Sequence, residues 1–84
     1  MKVTLKLFAS LTDFLPADAK YSNLVELDVA PGTTIQQVVE QFRLPPKQVH
    51  LVLVNGHYVA AEQRGGRALD EGDVLAIWPP IAGG

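Results

Sequence analysis

The sequence predicts a two-layer α+β fold, and three observations carry that prediction. Two early segments, "KVTLKLF" and "LVELDV", alternate apolar and polar residues. One stretch, "TIQQVVEQF", repeats its apolar residues at helical spacing, and a second group of strand-like segments follows it. The resulting order is ββαβββ. One helix covers only one face of a sheet, so the layers are a sheet and a helix.

The first strand is expected at 2–8, where Val3, Leu5 and Leu7 point one way and Lys2, Thr4 and Lys6 the other. "ASLTDFLP" then spaces Leu11, Phe14 and Leu15 for a short helix or turn before Pro16. The second strand is expected at 24–29, with Val25, Leu27 and Val29 opposite Glu26 and Asp28. Ile35, Val38, Val39 and Phe42 fall at i, i+3, i+4 and i+7, which predicts a helix at about 34–43. Thr33 with Gln36 and Thr34 with Gln37 both have capping-box spacing, and Pro45-Pro46 stops continuation.

"VHLVLV" at 49–54 is almost continuously apolar, as in a strand buried on both faces. "NG" at 55–56 predicts a type I′ turn into a short return strand, "HYV". Residues 60–70 have no periodicity and are expected as a loop. "DEGD" at 70–73 turns the chain into a last strand, "VLAIW" at 74–78.

At 84 residues, a chain buries about 60–65% of its unfolded surface, enough for one core. A net charge of −2, with seven basic residues scattered among nine acidic ones, leaves no footprint for nucleic acid or an anionic membrane. No apolar run reaches a membrane span and "MKVTLKLFAS" is unlike a signal peptide, so a cytoplasmic location is expected. With no cysteine, disulfides, thiolate metal sites and thiol nucleophiles are excluded.

The other candidates for chemistry have simpler roles. His50 and His57 have no partners at ligand spacing, so surface or structural roles are expected and no metal site is predicted. Asp70, Glu71 and Asp73 fit turn chemistry in "LDEGDV" better than a cation site. "RGGR" at 64–67 lacks the strand–loop–helix setting and the Lys-Ser/Thr of a phosphate loop. Arg64 and Arg67 are expected as exposed charges on a flexible turn, with docking to an acidic partner the alternative. No nucleophile–base set can be assembled, so the chain is not expected to be an enzyme by itself.

The closing "IWPPIAGG" differs in kind. Pro79 and Pro80 remove two backbone donors and end sheet pairing. Four further residues reach about 13–14 Å, far enough to enter another protein's active site. Gly83 and Gly84 carry no Cβ, so they can thread a narrow channel and leave the terminal carbonyl open to attack. A carboxylate is a poor electrophile, however, and needs activation as an acyl-adenylate by an ATP-using partner.

"VNG" at 54–56, "LDEGDV" at 69–74 and "PPIAGG" at 79–84, together with the strand order, resemble the MoaD/ThiS family of ubiquitin-like β-grasp sulfur carriers. "LFASL" at 7–11 also looks like that family's first strand and following turn. The resemblance covers essentially the whole chain. It implies a β-grasp domain at 1–80, with first and last strands side by side at its centre and a mixed sheet packed on the main helix. A flexible Gly-Gly tail at 81–84 would follow.

It further implies a reaction cycle. An E1-like enzyme adenylates Gly84 using Mg and ATP, and a persulfide donor's sulfur replaces AMP. The resulting thiocarboxylate gives that sulfur to an acceptor. By position, Gly84 is the acyl carrier, Gly83 permits passage, and Trp78, Pro79, Pro80 and Ile81 contact partners. This chain binds no cofactor itself.

"PPIAGG" looks most like the small subunit of molybdopterin synthase, whose larger subunit supplies the catalytic residues. Trp78, where phenylalanine is common, and the long 60–68 segment depart from that pattern. Thiamine synthesis, tRNA thiolation or another acceptor, and use as a ubiquitin-like protein modifier, are the alternatives.

Overall fold

The structure is a computed structural model in which residues 1–80 are described. The expected tail, with Ile81, Gly83 and Gly84, lies outside the described residues.

Strand β1 (Lys2–Leu7) is an interior strand of a five-stranded sheet. It pairs antiparallel with β2 (Leu24–Asp28) and parallel with β5 (Val74–Trp78). On its other edge β5 pairs antiparallel with β3 (Leu51–Val54), which turns back into β4 (His57–Tyr58). The strand order is β2-β1-β5-β3-β4, so the first and last strands lie side by side as the β-grasp resemblance implies. Parallel neighbours need a crossover, and here everything between Leu7 and Val74 supplies it.

Alternation along each strand selects one face for the core. Val3, Leu5, Leu7, Leu27, Val52, Val54, Leu75 and Ile77 are buried in one cluster with Ile35, Val38 and Val39 of helix α1 (Ile35–Gln41). Burial of each such aliphatic side chain is worth about 1.5–3 kcal/mol, and together they hold sheet to helix. "ASLTDF" forms a 3₁₀ helix at Ala9–Phe14 that drops Leu11 into the same cluster, joined by Leu15. The type I′ turn forms as expected: Asn55 and Gly56 take positive φ of 52° and 83°.

Of the two capping-box candidates, Thr34 and Gln37 form the cap. Thr34 Oγ1 accepts from the Gln37 amide and Gln37 Oε1 accepts from the Thr34 amide. Thr33 instead donates its hydroxyl to the Ala30 carbonyl. The next two orphan amides are met from across the fold, Ile35 donating to the Arg67 carbonyl and Gln36 to the Arg64 carbonyl. The segment expected as an aperiodic loop therefore closes the start of the helix.

Two expectations need correction. Arg64 is not an exposed charge on a flexible turn: only 6% of it is accessible. It follows a short 3₁₀ turn, Ala61–Gln63, and its guanidinium reaches inward to three backbone carbonyls, those of Val59, Val49 and His50, at 3.1–3.2 Å. The flanking glycines stay outside while the arginine spends its donors on the irregular chain that enters β3. Arg67 is half-buried and donates to the Ala68 carbonyl.

Nor is β3 buried on both faces. Val52 and Val54 are buried, but Leu51 is exposed and Leu53 half-exposed, because α1 covers the opposite side of the sheet.

The acidic turn is structural. One oxygen of buried Asp73 accepts from the Asn55 amide side chain and the other from the Asp70 backbone, each at 2.8 Å. Asn55 Oδ1 in turn accepts from the Val74 amide, tying the hairpin tip to the start of β5.

Thr34→Ala should cost about 1 kcal/mol through loss of the cap. Arg64→Met should cost about 2–4 kcal/mol, because it leaves one buried and two part-buried carbonyls without their donor. Urea denaturation followed by circular dichroism measures both, with Thr34→Ala the milder.

Candidate functional site

The best candidate site is the root of the tail, where β5 leaves the sheet. Trp78 is the last strand residue, in register with Leu51. Its carbonyl accepts the His50 amide at 3.1 Å, and one residue earlier the Ile77 carbonyl accepts the Phe8 amide at 3.2 Å. The Trp78 indole lies flat against the Phe8 ring, with centroids 4.0 Å apart and planes 3° from parallel. Such a contact adds about 0.5–1.5 kcal/mol beyond burial and fixes the indole's direction.

Pro79, half-buried, and Pro80, exposed, continue the chain without an amide hydrogen to offer a neighbouring strand. The chain is therefore released at a defined point and cannot zip further along β3. Of the expected site residues, Trp78, Pro79 and Pro80 are brought together here.

Register defines what surrounds that root. Directly paired residues share a face, so Leu51 and Trp78 stand together on the side of the sheet opposite the helix. The adjoining row on the same face contains Leu24, Lys6, Ala76, Leu53 and Tyr58. Beyond it the face turns polar through Thr4 and Glu26, then Lys2 and Asp28. The outer face is thus apolar at the tail end and charged at the other. Leu51 is 37% and Tyr58 61% exposed, large apolar groups with no covering layer.

Sequence reasoning did not include Phe8, Leu51, Leu53 or Tyr58 in the site. A usable signal was present: "LVLV" is apolar at every position, although one helix can bury only alternate residues. The surplus apolar positions mark the face that the helix leaves uncovered.

Of the two histidines, His50 meets the tail root through its backbone amide. His50 and His57 are exposed, and among the described residues no group of three His, Asp or Glu side chains converges on a metal position. An open hollow of about 620 Å³ lies between the β3–β4 hairpin and the 62–67 segment, lined in part by Tyr58, Glu62 and Arg67. Neither Trp78 nor Pro79 lines it. Among the described residues no helix is long and apolar enough to cross a membrane.

Comparison with known proteins bears on this geometry. The ThiS family profile matches residues 5–84. Among solved structures, SAMP1 from Haloferax volcanii is similar over 100% of both chains, with 28% identity and a TM-score of 0.66. A putative molybdopterin converting factor subunit 1 from Pyrococcus furiosus is similar over 96% of this chain and 99% of its own, at 20% identity and a TM-score of 0.66. A chain from the complex of subunits 1 and 2 of the Helicobacter pylori molybdopterin-converting factor matches over 100% of both chains, at 16% identity and a TM-score of 0.60. The last two likenesses concern the fold. The comparison with curated proteins gives no match.

A double-mutant cycle on Phe8→Leu and Trp78→Leu should return a coupling of about 1 kcal/mol, measured by urea denaturation. Additive losses would mean that the stacked rings contribute no pairwise stabilisation.

Proposed function

The chain belongs to the ThiS family of small ubiquitin-like carriers and modifiers, and from that premise we propose that it carries sulfur on Gly84. The observation that carries the reading is a family match running through Gly84, joined to a domain that releases its last strand at Trp78. A carboxylate oxygen of Gly84 attacks the α-phosphorus of ATP, expelling pyrophosphate and forming the acyl-adenylate. The terminal sulfur of a persulfide then attacks the carbonyl carbon and AMP leaves. Cleavage of the remaining sulfur–sulfur bond by a thiol releases the thiocarboxylate.

Mg, ATP and the catalytic groups belong to an E1-like activating enzyme, and the persulfide to a separate donor. This chain's residues bind and orient. Leu51, Trp78 and Leu53 dock the domain, Pro79 and Pro80 stiffen the exit, Ile81 contacts the partner, and Gly83 passes the channel. The proposed acceptor lies in molybdopterin synthesis, with this chain as small subunit beside a larger one that holds the catalytic residues. A cytoplasmic setting goes with that pathway. The Helicobacter pylori complex of two converting-factor subunits supports an arrangement of this kind.

A second reading is favoured by the full-length likeness to SAMP1, another structure of which is described as small archaeal modifier protein 1. There the same adenylate ends in an isopeptide bond to a lysine amine.

Intact mass spectrometry of protein from its source organism, with sequencing of the C-terminal peptide, tests both readings. Exchange of one terminal oxygen for sulfur is the expected result, and conjugates of higher mass would favour the modifier. Deleting Gly83 and Gly84 should abolish adenylation. Leu51→Asp should raise KM for the activating enzyme by about tenfold or more, by placing a charge in the docking face. Full activity of the deletion variant would refute both readings.

A further inference from the structure

We infer that Arg64 is a positioning residue for the reaction at Gly84, acting through one backbone amide on the point where the tail leaves the sheet. The inference rests on the carrier reading above. Arg64 is 6% exposed, and among the described residues no carboxylate lies within salt-bridge distance of it. Its charge is instead spread over three carbonyls: Nε donates to Val59 at 3.2 Å, one terminal nitrogen to Val49 at 3.2 Å and the other to His50 at 3.1 Å. The last two form a fork across consecutive peptide groups, a geometry that a planar guanidinium offers and an ammonium does not.

The Val49 carbonyl and the His50 amide hydrogen belong to the same peptide unit. That amide donates to the Trp78 carbonyl at 3.1 Å. A continuous chain therefore runs from the buried cation, through the Val49–His50 peptide, to the carbonyl bonded to the Pro79 nitrogen. A cation on the oxygen side of an amide polarises it and strengthens its N–H as a donor. Pro79 and Pro80 contribute no amide hydrogen, so the His50 bond is the anchor immediately before the chain departs.

The segment holding this anchor lies outside the strands. Gln48 ends a short 3₁₀ turn, β3 begins only at Leu51, and Val49 is half-buried while His50 is exposed. Arg64 fixes this irregular stretch from behind. Leu51 and Trp78 are held in the docking face by strand pairing and by the Phe8 ring, so loss of Arg64's fork should act on the point where the chain departs at Pro79 more than on docking. A misplaced reacting group lowers kcat at constant KM.

Arg64→Lys keeps the charge but cannot span the three carbonyls. His50→Pro keeps Arg64 and removes the amide hydrogen that meets Trp78, while its ring also restricts the backbone at Val49. Both variants and the wild type are compared, as full chains, in exchange of radiolabelled pyrophosphate into ATP by the E1-like activating enzyme. The temperature is chosen so that circular dichroism shows each variant folded, and Val39→Ala serves as a destabilised control.

The expected result is a kcat lowered roughly tenfold in both variants, with KM changed less than about twofold and kcat unchanged in the control. In Arg64→Lys, hydrogen exchange at the His50 amide should accelerate by about tenfold relative to the amides of β1. Wild-type kcat in His50→Pro, or in folded Arg64→Lys, overturns the role assigned to Arg64 and leaves the carrier reading standing. A wild-type chain that supports no exchange overturns the carrier reading, and the role falls with it.

Discussion

Parallel pairing of β1 with β5 is the constraint from which the other features follow. Two parallel neighbours cannot be joined by a hairpin, so the intervening chain must leave the sheet, cross it and return. In this protein the crossing delivers α1 and the 3₁₀ turn of Ala9–Phe14 to one face and packs Ile35, Val38, Val39 and Leu11 against the strands. It also leaves β5 between two other strands, held on both edges until Trp78. The chain therefore leaves the sheet at Pro79 from a strand paired on both edges. The same asymmetry leaves the opposite face without a covering layer.

That uncovered face and the closed one are built by different means. The core face is filled by aliphatic side chains at alternate strand positions. The outer face has a gradient, apolar around Phe8, Leu51 and Trp78 and charged around Lys2 and Asp28. A fold with a single helix has no second layer to cover the apolar end. Exposed Leu51 and Tyr58 are compatible with a domain whose partners cover that end in turn.

Much of the fold was legible in the sequence because its determinants are local. Strand alternation, the Asn55-Gly56 turn, the capping threonine and the proline stops each act within a few residues, and each appears where expected within two or three positions. The identity of the neighbours was not local: only the family resemblance placed the first strand beside the last. Arg64 was misread because no periodicity surrounds it and its partners are backbone carbonyls 5 to 15 residues away. A sequence shows side chains, and a guanidinium that satisfies main-chain oxygens leaves no matching acidic residue to notice. For the candidate site, Pro79 and Pro80 were read from the sequence as the end of sheet pairing and Trp78 entered through the family resemblance, whereas Phe8 and Leu51 required the sheet register.

Trp78 is the chain's single tryptophan, and its ring stands on the outer face beside the departing chain. The molecule thus carries one indole chromophore where the proposed docking face, the Phe8 ring and the end of β5 meet. Its emission integrates all three: a partner covering Leu51, a shift of the Phe8 ring and unfolding of the strand each alter the surroundings of the same fluorophore. If a partner covers the proposed face, intrinsic fluorescence should report it without a label, and a paired backbone signal would separate that from unfolding.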